Sequence, residues 1–275
     1  MRGRVVRFRA GLAGAGGVTA EGIGSDTSRW YRGATVAACS DESGLAEAVE
    51  SRPLDRRTGG TAVPDQPDLH VSTHPAVLHK LALLRDESTD PKKFRELVRE
   101  ISWLVGYEAL ADAKLEDIEV RTPLEMTEGH QLADRIGLVP ILRAGLGMVD
   151  AFHELFPTAQ VWHLGLFRDE RTLRPVEYYN KLPDRTTVDL SLILDPMLAT
   201  GGSATAAIEV LKDWGASRIK LVNLIAAPEG VKAVSDAHPD VPIYTASLDR
   251  SLNDVGYIQP GLGDAGDRQF GTGSP

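Results

Sequence analysis

The chain has 275 residues, 42% of them hydrophobic, and a formal net charge of −9 at pH 7. This length is enough to bury one sizeable core or two small ones. The acidic balance argues against general binding to nucleic acid or to an anionic membrane, although local basic pockets for phosphates remain compatible with it. The single cysteine, Cys39, excludes an internal disulfide and fits a reducing cytoplasm. No apolar run approaches the roughly 20 residues that span a bilayer.

Residues 1–67 differ from the rest of the chain in composition. They contain arginine but no lysine, since the first lysine is Lys80, and they are rich in glycine without a sustained hydrophobic period. The stretch SRPLDRRTGGTAVPDQPD at residues 51–68 is typical of a linker. These features favour a disordered extension, or a start codon assigned too far upstream, over a small folded regulatory module. We therefore expect residues 68–275 to form the functional domain.

The first regular pattern is an amphipathic helix that begins near residue 91. Asp90 is suited to cap this helix, and Pro91 is suited to its first position. Apolar residues recur along one face at helical spacing: Phe94, Leu97, Val98, Ile101, Leu104 and Val105. The pattern predicts an N-terminal helix.

Five apolar runs follow, and several of them are separated by helical patterns. The runs are continuous rather than alternating, as in strands that are buried on both faces of a parallel sheet. They are IGLVPILRAG, AQVWHLGLFRDE, VDLSLILD, RIKLVNLIAAP and VPIYTASLD. After the third run, Ala204, Ala207, Ile208 and Leu211 fall at helical spacing, and Gly215 is placed to end that helix. The order of elements predicts an α/β fold, with a doubly wound, mainly parallel sheet in one domain.

Charged residues follow three of the predicted strands. Arg143 follows the first run, Arg168 the second and Asp195 the third. In folds of this kind, ligands bind beyond the carboxyl ends of the strands. Two cations and an anion at neighbouring strand ends are suited to a multiply charged phosphate ligand.

The turn at residues 199–203, ATGGS, has the features of a phosphate cradle. Its glycines would let a phosphate approach the backbone amides, and the following helix would present free N–H groups. Thr200 and Ser203 add hydroxyl donors. No lysine follows the glycines, so the nucleotide P-loop is absent and a uridine kinase is excluded. Taken alone, the turn also fits an ordinary helix start capped by Ser203, but the preceding Asp195 favours the phosphate interpretation.

The segment LILDPMLATGGS at residues 192–203 resembles the PRPP-binding motif of the type I phosphoribosyltransferases. Pro196 stands where the general motif has a second acid, and this departure is characteristic of the uracil phosphoribosyltransferase branch. The resemblance covers nearly all of residues 70–273 and none of residues 1–67. Its segments include HPAVLHKLALLRDEST, VPILRAGLGMVD, FRDE, AAPEG, HPDVPIYTASLD and GYIQPGLGDAGDRQFGT.

The resemblance implies a glycosyltransferase of pyrimidine salvage. The enzyme would transfer the phosphoribosyl group of PRPP to N1 of uracil and release UMP and pyrophosphate. Mg²⁺ would be bound mainly through PRPP, with no metal site made by the protein alone. The resemblance further implies a cytoplasmic homo-oligomer with no nucleic-acid or membrane partner, and it leaves open whether GTP activates the enzyme.

The resemblance also assigns site residues by matching motifs. Arg143 and Arg168 would bind the pyrophosphate side of PRPP, and together with Asp195 and Asp264 they form the implied catalytic set. The ribose and its 5-phosphate would be held by Asp195, Pro196, Met197, Leu198, Ala199, Thr200, Gly201, Gly202 and Ser203, and Asp264 would also contact PRPP. Uracil would be read, largely by backbone groups, at Ile258, Gly263, Asp264 and Ala265. The stretch at residues 171–187 would form the family's projecting β-arm.

Other interpretations of the sequence are weaker. A PRPP-sensing regulator that binds nucleic acid would need a basic groove or a helix-turn-helix, and the acidic balance and residues 1–67 offer neither. His70, His74 and His79 lie close together, but no cysteine or carboxylate set completes a metal site, so solvent or capping roles are expected. The segment GLGDAG lacks a following βαβ unit, which argues against a dinucleotide site.

Overall fold

The structure of the chain is a computed structural model that describes residues 68–168 and 175–272. The expectations for residues 1–67, and the part of the predicted arm at residues 171–174, lie outside the described residues. The described helices are α1 (Pro75–Arg85), α2 (Pro91–Ala109), α3 (Leu146–Leu155), α4 (Gly202–Asp213), α5 (Pro228–Ala237) and α6 (Ala265–Phe270). None of these helices is both long and apolar enough to cross a membrane.

The described strands form a central sheet and three two-stranded ribbons. The strands are β1 (Leu69–Val71), β2 (Leu115–Arg121), β3 (Met126–Leu132), β4 (Ile136–Pro140), β5 (Gln160–Val161), β6 (Leu164–Arg168), β7 (Pro175–Asn180), β8 (Leu190–Leu194), β9 (Met197–Leu198), β10 (Ile219–Ala226), β11 (Ile243–Leu248), β12 (Ser251–Leu252) and β13 (Ile258–Gln259). Within the described residues, the central sheet has seven strands in the order β1-β11-β10-β8-β4-β5, with β9 also paired to β10. All of its pairings are parallel. The predicted α/β fold with a mainly parallel sheet is confirmed.

The direction of winding reverses between β4 and β8. From β4 the chain continues through α3 to β5 on one side of the sheet order, whereas from β8 it continues through α4 and β10 to α5 and β11 on the other. Parallel crossovers are almost always right-handed, so the helices of the two directions lie on opposite faces of the sheet. The carboxyl ends of β4 and β8 are thereby left side by side without a helix between them, which is where α/β folds bind ligands.

Alternate residues of the central strands face two hydrophobic layers. Leu192 and Leu194 pack in the layer that contains Phe94 of α2 and Phe152 of α3, whereas Ile193 packs in the layer of α4 and α5. β8 and β10 are buried along their whole length. Each square ångström of apolar surface removed from water contributes roughly 25 cal/mol. This two-sided burial is the physical reason for the continuous apolar runs in the sequence.

The predicted N-terminal helix is confirmed as α2. The Asp90 carboxylate accepts hydrogen bonds from the backbone N–H groups of Lys92 (2.8 Å) and Lys93 (3.0 Å), and Pro91 is the first helical residue. The predicted apolar face is buried, with Leu104 only partly so. Cap, first residue and buried face therefore all follow the sequence pattern.

The predicted helix after β8 is confirmed as α4. Its apolar face is buried at the four expected positions, Ala204, Ala207, Ile208 and Leu211. Gly215 lies just beyond its end with a φ of 94°, and its N–H donates to the Lys212 carbonyl at 2.9 Å. A left-handed glycine at this position is a common way to end a helix.

The second apolar run was predicted as one strand of the central sheet, and this was wrong. Its first part pairs with β4 as β5, but the chain then leaves the sheet as β6, which pairs antiparallel with β7. In the described part, an isolated bridge between Ile141 and Leu164 joins β6 to the end of β4. Leu164 is nevertheless fully buried against the α4 layer, which explains the apolar character of the run. The second strand of the β6–β7 ribbon lies in the stretch 171–187 where a projecting β-arm was expected, but the first strand comes from residues before that stretch.

The β2–β3 ribbon was not predicted. Its seven residue pairs run from Leu115 with Leu132 to Arg121 with Met126. Both strands are largely exposed, and their sequences, LEDIEVR and MTEGHQL, contain few apolar residues. Without a buried face there is no hydrophobic alternation for a sequence pattern to detect.

Candidate active site

The turn between β8 and α4 presents an unbroken row of backbone donors. In the described part of the chain, the N–H groups of residues 200–204 donate to no protein acceptor. The residue that precedes α4, Gly201, forms no side-chain cap, so a helix start capped by Ser203 is not what the structure contains. Buried N–H groups are nearly always paired, and Ala204 is buried. The row is therefore suited to the oxygens of an anion, which the positive end of the α4 dipole also attracts.

Close packing against α5 fixes the shape of this turn. Gly201 has a φ of 80°, and a Cβ there would lie 2.9 Å from the Gly230 carbonyl oxygen. A Cβ at Gly230 would in turn overlap the carbonyl oxygen of Ala199. Glycine is thus required at both positions for turn and helix to touch. A Cβ at Gly202 would instead meet no atom closer than Thr200 Oγ1 at 3.9 Å, so space for a ligand remains on that side.

The segment that leads into the turn is tied to β10. Two backbone N–H groups of β10 donate to the Pro196 carbonyl, at 3.0 and 3.1 Å. The side-chain amide of Asn223 donates to the Asp195 carbonyl at 2.6 Å. Leu198 is buried in the α4–α5 layer. Residues 196–198 therefore position the turn.

The Asp195 carboxylate has no cationic partner among the side chains that the structure describes. Within the described residues it forms no ion pair, and its Oδ1 accepts one hydrogen bond, from the Met197 N–H at 3.3 Å. The residue is partly accessible at its surface, but its carboxyl group is surrounded by protein atoms. Burial raises the pKa of Asp195 to about 7, and the Met197 N–H offsets only part of this effect. Such a group is suited to a ligand that supplies hydroxyl donors or a cation.

Arg143 is carried by a tight turn that packs on the end of β8. The Ile141 N–H donates to the Leu194 carbonyl at 3.0 Å, and the Gly145 N–H donates to the Ile141 carbonyl at 2.9 Å. A Cβ at Gly145 would overlap the Leu194 carbonyl oxygen, so glycine is needed at this crossing. The peptide bond before Arg143 is cis. The turn thus brings the backbone of Arg143 beside the strand that ends at Asp195.

The Arg143 side chain extends towards α6 and the turn before it. Its Nη2 lies 3.2 Å from Asp267 Oδ1, and its guanidinium carbon lies 5.9 Å from the centre of the Phe270 ring. Both side chains of the ion pair are well exposed to water, so the pair holds the guanidinium only weakly. A Cβ at Gly266 would lie 3.2 Å from Asp264 Oδ1 and 3.6 Å from Arg143 Nη2. Arg143 and Asp264 are two predicted site residues that lie 121 positions apart in sequence, and both border the space beside Gly266.

The turn before α6 offers a second row of free donors. The N–H groups of Gly263, Asp264 and Ala265 have no protein acceptor among the described residues. Gly263 has a φ of 78°, a conformation that favours glycine. Asp264 Oδ1 accepts an N–H of α6 at 2.8 Å and caps that helix. Ile258 is buried in β13, and its carbonyl oxygen lies so close to Gly261 that a Cβ there would overlap it.

The other predicted site residue, Arg168, ends β6. Its main chain therefore belongs to the ribbon rather than to the central sheet. Its side chain is not among those that the structure describes. The expectation that two arginines and an aspartate end neighbouring strands of one sheet holds for Arg143 and Asp195 but not for Arg168.

Several polar side chains around these turns carry no local sequence signal. Asp267 pairs with an arginine 124 residues away, and Asn223 holds a carbonyl 28 residues away. Arg85 and Asp249, which contact the turn before Gly263, are 164 residues apart. Only the fold brings such pairs together, so motif spacing in a single sequence could not find them.

The residues of the candidate site fit a metal ion that enters bound to the phosphates of a ligand. Among the described residues, no group of three or more histidine, cysteine or acidic side chains could hold a metal ion. His74 Nδ1 accepts the Ala76 N–H at 3.1 Å and caps α1, which confirms the capping role expected for one of the histidines. A single Asp195 carboxylate without a cation fits Mg²⁺, which commonly binds one or two carboxylates together with substrate phosphates.

The winding of the sheet reverses between β4 and β8, and the turn after β8 presents unpaired backbone donors to an anion. This combination places the chain in the type I phosphoribosyltransferase class. Residues 71–272 match the model of the uracil phosphoribosyltransferase family. The chain belongs to this family. The family's reaction transfers the phosphoribosyl group of PRPP to uracil and gives UMP and pyrophosphate.

Relatives match a stretch of similar length. The uracil phosphoribosyltransferase of Roseiflexus castenholzii is 66% identical over 203 residues, which cover 74% of this chain and 98% of the relative. That of Streptococcus suis is 58% identical over 203 residues, with coverage of 74% and 97%. Among solved structures, the AQ2163 protein from Aquifex aeolicus superposes with a TM-score of 0.71 at 38% identity and covers 75% of this chain and 100% of its own.

The raised pKa of Asp195 predicts a pH-dependent difference in stability between the wild type and Asp195→Asn. The pKa is about 7 in the folded protein, against about 4 for an unperturbed aspartate. Between these values the folded state keeps a proton that the unfolded chain releases, so the wild type loses stability as pH rises through this window. Asparagine does not titrate, and the advantage of the variant should grow by up to about 4 kcal/mol from pH 4 to pH 8.

Urea unfolding of both proteins without ligands, at pH 4, 6 and 8, measures this difference. Asp150→Asn, which changes an exposed aspartate of α3, serves as the control. Parallel stability profiles for wild type and Asp195→Asn would contradict the assignment of a buried, unpaired carboxylate.

Proposed function

We propose that PRPP binds between the β8–α4 turn and Arg143, and that uracil binds at the turn before α6. The observation that carries this proposal is the presence of two rows of unpaired N–H groups, at residues 200–204 and 263–265. The first row suits the 5-phosphate of PRPP. The second suits a carbonyl oxygen of a pyrimidine. Arg143 and Asp195 would lie between these two rows and face the charges that the reaction develops.

The chemistry gives each charged residue a role. Cleavage of the bond between ribose C1′ and pyrophosphate leaves positive charge on the ribose and negative charge on the leaving group. Arg143, together with Arg168, would stabilise the leaving pyrophosphate through charge-assisted hydrogen bonds. Asp195 would accept hydrogen bonds from the ribose hydroxyls, and Asp264 would contact PRPP from the opposite turn. Holding uracil N1 near C1′ supplies much of the remaining catalysis.

The remaining motif residues have narrower roles in this proposal. Residues 199–203 cradle the 5-phosphate through their N–H groups and the hydroxyls of Thr200 and Ser203. Residues 196–198 hold that cradle in place and offer only backbone contacts. Mg²⁺ bound through PRPP would neutralise charge on the pyrophosphate. Because Asp195 is assigned to the ribose hydroxyls, this proposal names no side chain as general base, and an environment that favours the uracil anion would suffice for deprotonation of N1.

Recognition of the base would rest on backbone groups. Uracil carries a donor at N3 and acceptors at O2 and O4. The Ile258 carbonyl would accept from N3–H, and N–H groups of residues 263–265 would donate to O4. Cytosine reverses donor and acceptor at both positions, so its binding would leave buried polar groups opposed and unpaired. Sites of this kind can discriminate by roughly 10⁴-fold.

Several properties rest on the family resemblance alone and stay predictions. They are assembly into a homo-oligomer, activation by GTP, and a cytoplasmic location. We also propose that residues 68–275 form the complete catalytic domain. Support for this comes from the relatives, which match 74% of this chain across 98% of their own length.

Arg143→Ala should impair the use of PRPP. Loss of a charge-assisted contact costs roughly 1.5–3 kcal/mol, so kcat/KM for PRPP should fall by about 10- to 150-fold. Arg135→Ala is the matched control. Arg135 pairs with Asp189 just before β4 begins, so it lies at the amino ends of the strands, away from the site at their carboxyl ends. Steady-state kinetics at limiting PRPP distinguish the two variants. Equal, near-wild-type values would show that Arg143 does not bind the pyrophosphate.

Gly263→Val and Asp264→Asn should affect different substrates. Valine disfavours the φ of 78° at Gly263 and would distort the donor row, so the KM for uracil should rise more than the KM for PRPP. Asparagine keeps the helix cap at Asp264 and removes only its charge, so the KM for PRPP should rise more. Kinetics of both variants with each substrate, and of the wild type with cytosine, test this. Similar kcat/KM values for uracil and cytosine in the wild type would refute backbone reading of the base.

Removal of residues 1–67 should leave the enzyme active. The family model matches residues 71–272, which exclude this segment, so the site should not need it. The truncated protein should keep kcat and both KM values within about twofold, and its thermal midpoint close to that of the full chain. A large fall in either quantity would mean that the segment contributes to the catalytic domain.

A further inference from the structure

A closed set of hydrogen bonds holds both backbone groups of Gly261, two residues before Gly263. The Gly261 carbonyl accepts from Arg85 Nη1 at 2.7 Å, and its N–H donates to Asp249 Oδ2 at 2.9 Å. Arg85 and Asp249 also pair with each other through two bonds, Nη1 to Oδ2 at 2.7 Å and Nη2 to Oδ1 at 2.5 Å. Bidentate pairs of this kind fix geometry as well as charge.

This ion pair joins parts of the chain that are distant in sequence. Arg85 is the last residue of α1, Asp249 directly follows β11, and Gly261 lies in the turn after β13. The Asp249 side chain is only 2% exposed. Burial opposes its ionisation, but hydrogen bonds from Arg85 and Ser247 hold the pKa of Asp249 below its usual range. The carboxylate is therefore a fixed charge at neutral pH.

A second arginine holds the next carbonyl of the same turn. Arg268 Nη1 donates to the Leu262 carbonyl and to the Leu84 carbonyl, each at 2.9 Å. Its guanidinium carbon lies 4.5 Å from the centre of the Phe94 ring. Two successive carbonyls of the turn are thus engaged by arginines, and the N–H groups of the next three residues have no acceptor in the part of the chain that the structure describes.

We propose that Arg85 is a positioning residue that determines base specificity, because with Asp249 it fixes Gly261 between the Ile258 carbonyl and the donors of residues 263–265. The inference rests on the proposed reading of uracil by those groups. An acceptor for N3–H and a donor for O4 discriminate only when both are held in place at once. Displacement of Gly261 changes the distance between them. The cradle for the 5-phosphate, at residues 199–203, is held separately by β10 and α5 and is not anchored by Arg85.

Kinetic comparison of Arg85→Gln, Arg85→Lys and Arg99→Gln tests this role. Arg99 is an exposed arginine of α2 paired with Glu154, so Arg99→Gln controls for the loss of a guanidinium that does not contact the turn. Arg85→Gln should raise the KM for uracil at least about tenfold and lower the preference for uracil over cytosine by a similar factor. The KM for PRPP should stay within about twofold, and Arg99→Gln should match the wild type.

The lysine variant separates positioning from stability. Lysine keeps a positive charge beside Asp249, but its single ammonium cannot reproduce the planar fork that spans two carboxylate oxygens and the Gly261 carbonyl. Arg85→Lys should therefore retain more of the thermal midpoint than Arg85→Gln and still show the raised KM for uracil. If Arg85→Gln does not fold, Arg85→Lys carries the same kinetic test.

Three outcomes overturn the proposal. One is an unchanged KM for uracil and an unchanged uracil-to-cytosine ratio in both Arg85 variants, whatever their thermal midpoints. Another is an equal rise in the KM for both substrates, which indicates general damage. The third is a raised KM for uracil with no change in the ratio to cytosine. A parallel assay of Gly263→Val identifies the source of failure: if that variant alone impairs uracil use, base reading stands and the role of Arg85 is wrong, whereas if neither does, the base-reading assignment itself fails.

Discussion

The arrangement of the site depends on one constraint, the reversal of winding between β4 and β8. Because the chain leaves these neighbouring strands in opposite directions, no crossover helix covers the space beyond their ends. The two ends can then touch directly, as they do where the Ile141 N–H donates to the Leu194 carbonyl. Gly145 permits that contact, since any side chain there would overlap the carbonyl. The turn that carries Arg143 and the strand that ends at Asp195 are adjacent as a consequence of strand order.

The site is also a place where folding leaves polar groups unpaired. Backbone donors at residues 200–204 and a carboxylate at Asp195 lack protein partners among the described residues, although buried groups of both kinds normally have them. Those that are buried, at Gly201, at Ala204 and in the Asp195 carboxyl group, lower the stability of the empty protein, whereas the exposed Thr200 N–H can bond to water. A ligand that supplies phosphate oxygens and hydroxyl groups to these positions binds only the folded state and restores stability by mass action. The same unpaired groups therefore weaken the free enzyme and select its ligand.

The sequence predicted those parts of the fold whose stabilisation is local or repetitive. The run through Leu192 and Leu194 is apolar because both faces of β8 are buried, and Asp90 caps α2 through adjacent N–H groups. The path of β6 could not be predicted, because an apolar residue such as Leu164 has the same signature in a ribbon packed on α4 as in a central strand. Contacts such as Arg85 with Asp249 could not be predicted either, since the tertiary fold alone brings them together.

The chemistry of the Arg85–Asp249 pair indicates why an ion pair occupies this position. Desolvation offsets much of the attraction within a buried ion pair, and well-packed apolar residues of similar volume are often equally or more stabilising. Apolar residues, however, could not accept the Gly261 N–H and donate to its carbonyl, and both groups would then be buried without partners. A neutral amide offers both a donor and an acceptor, but it lacks the planar fork of donors that reaches two carboxylate oxygens and a carbonyl together. In the proposed role of Arg85, the charged pair both satisfies these buried groups and keeps the turn in a single geometry.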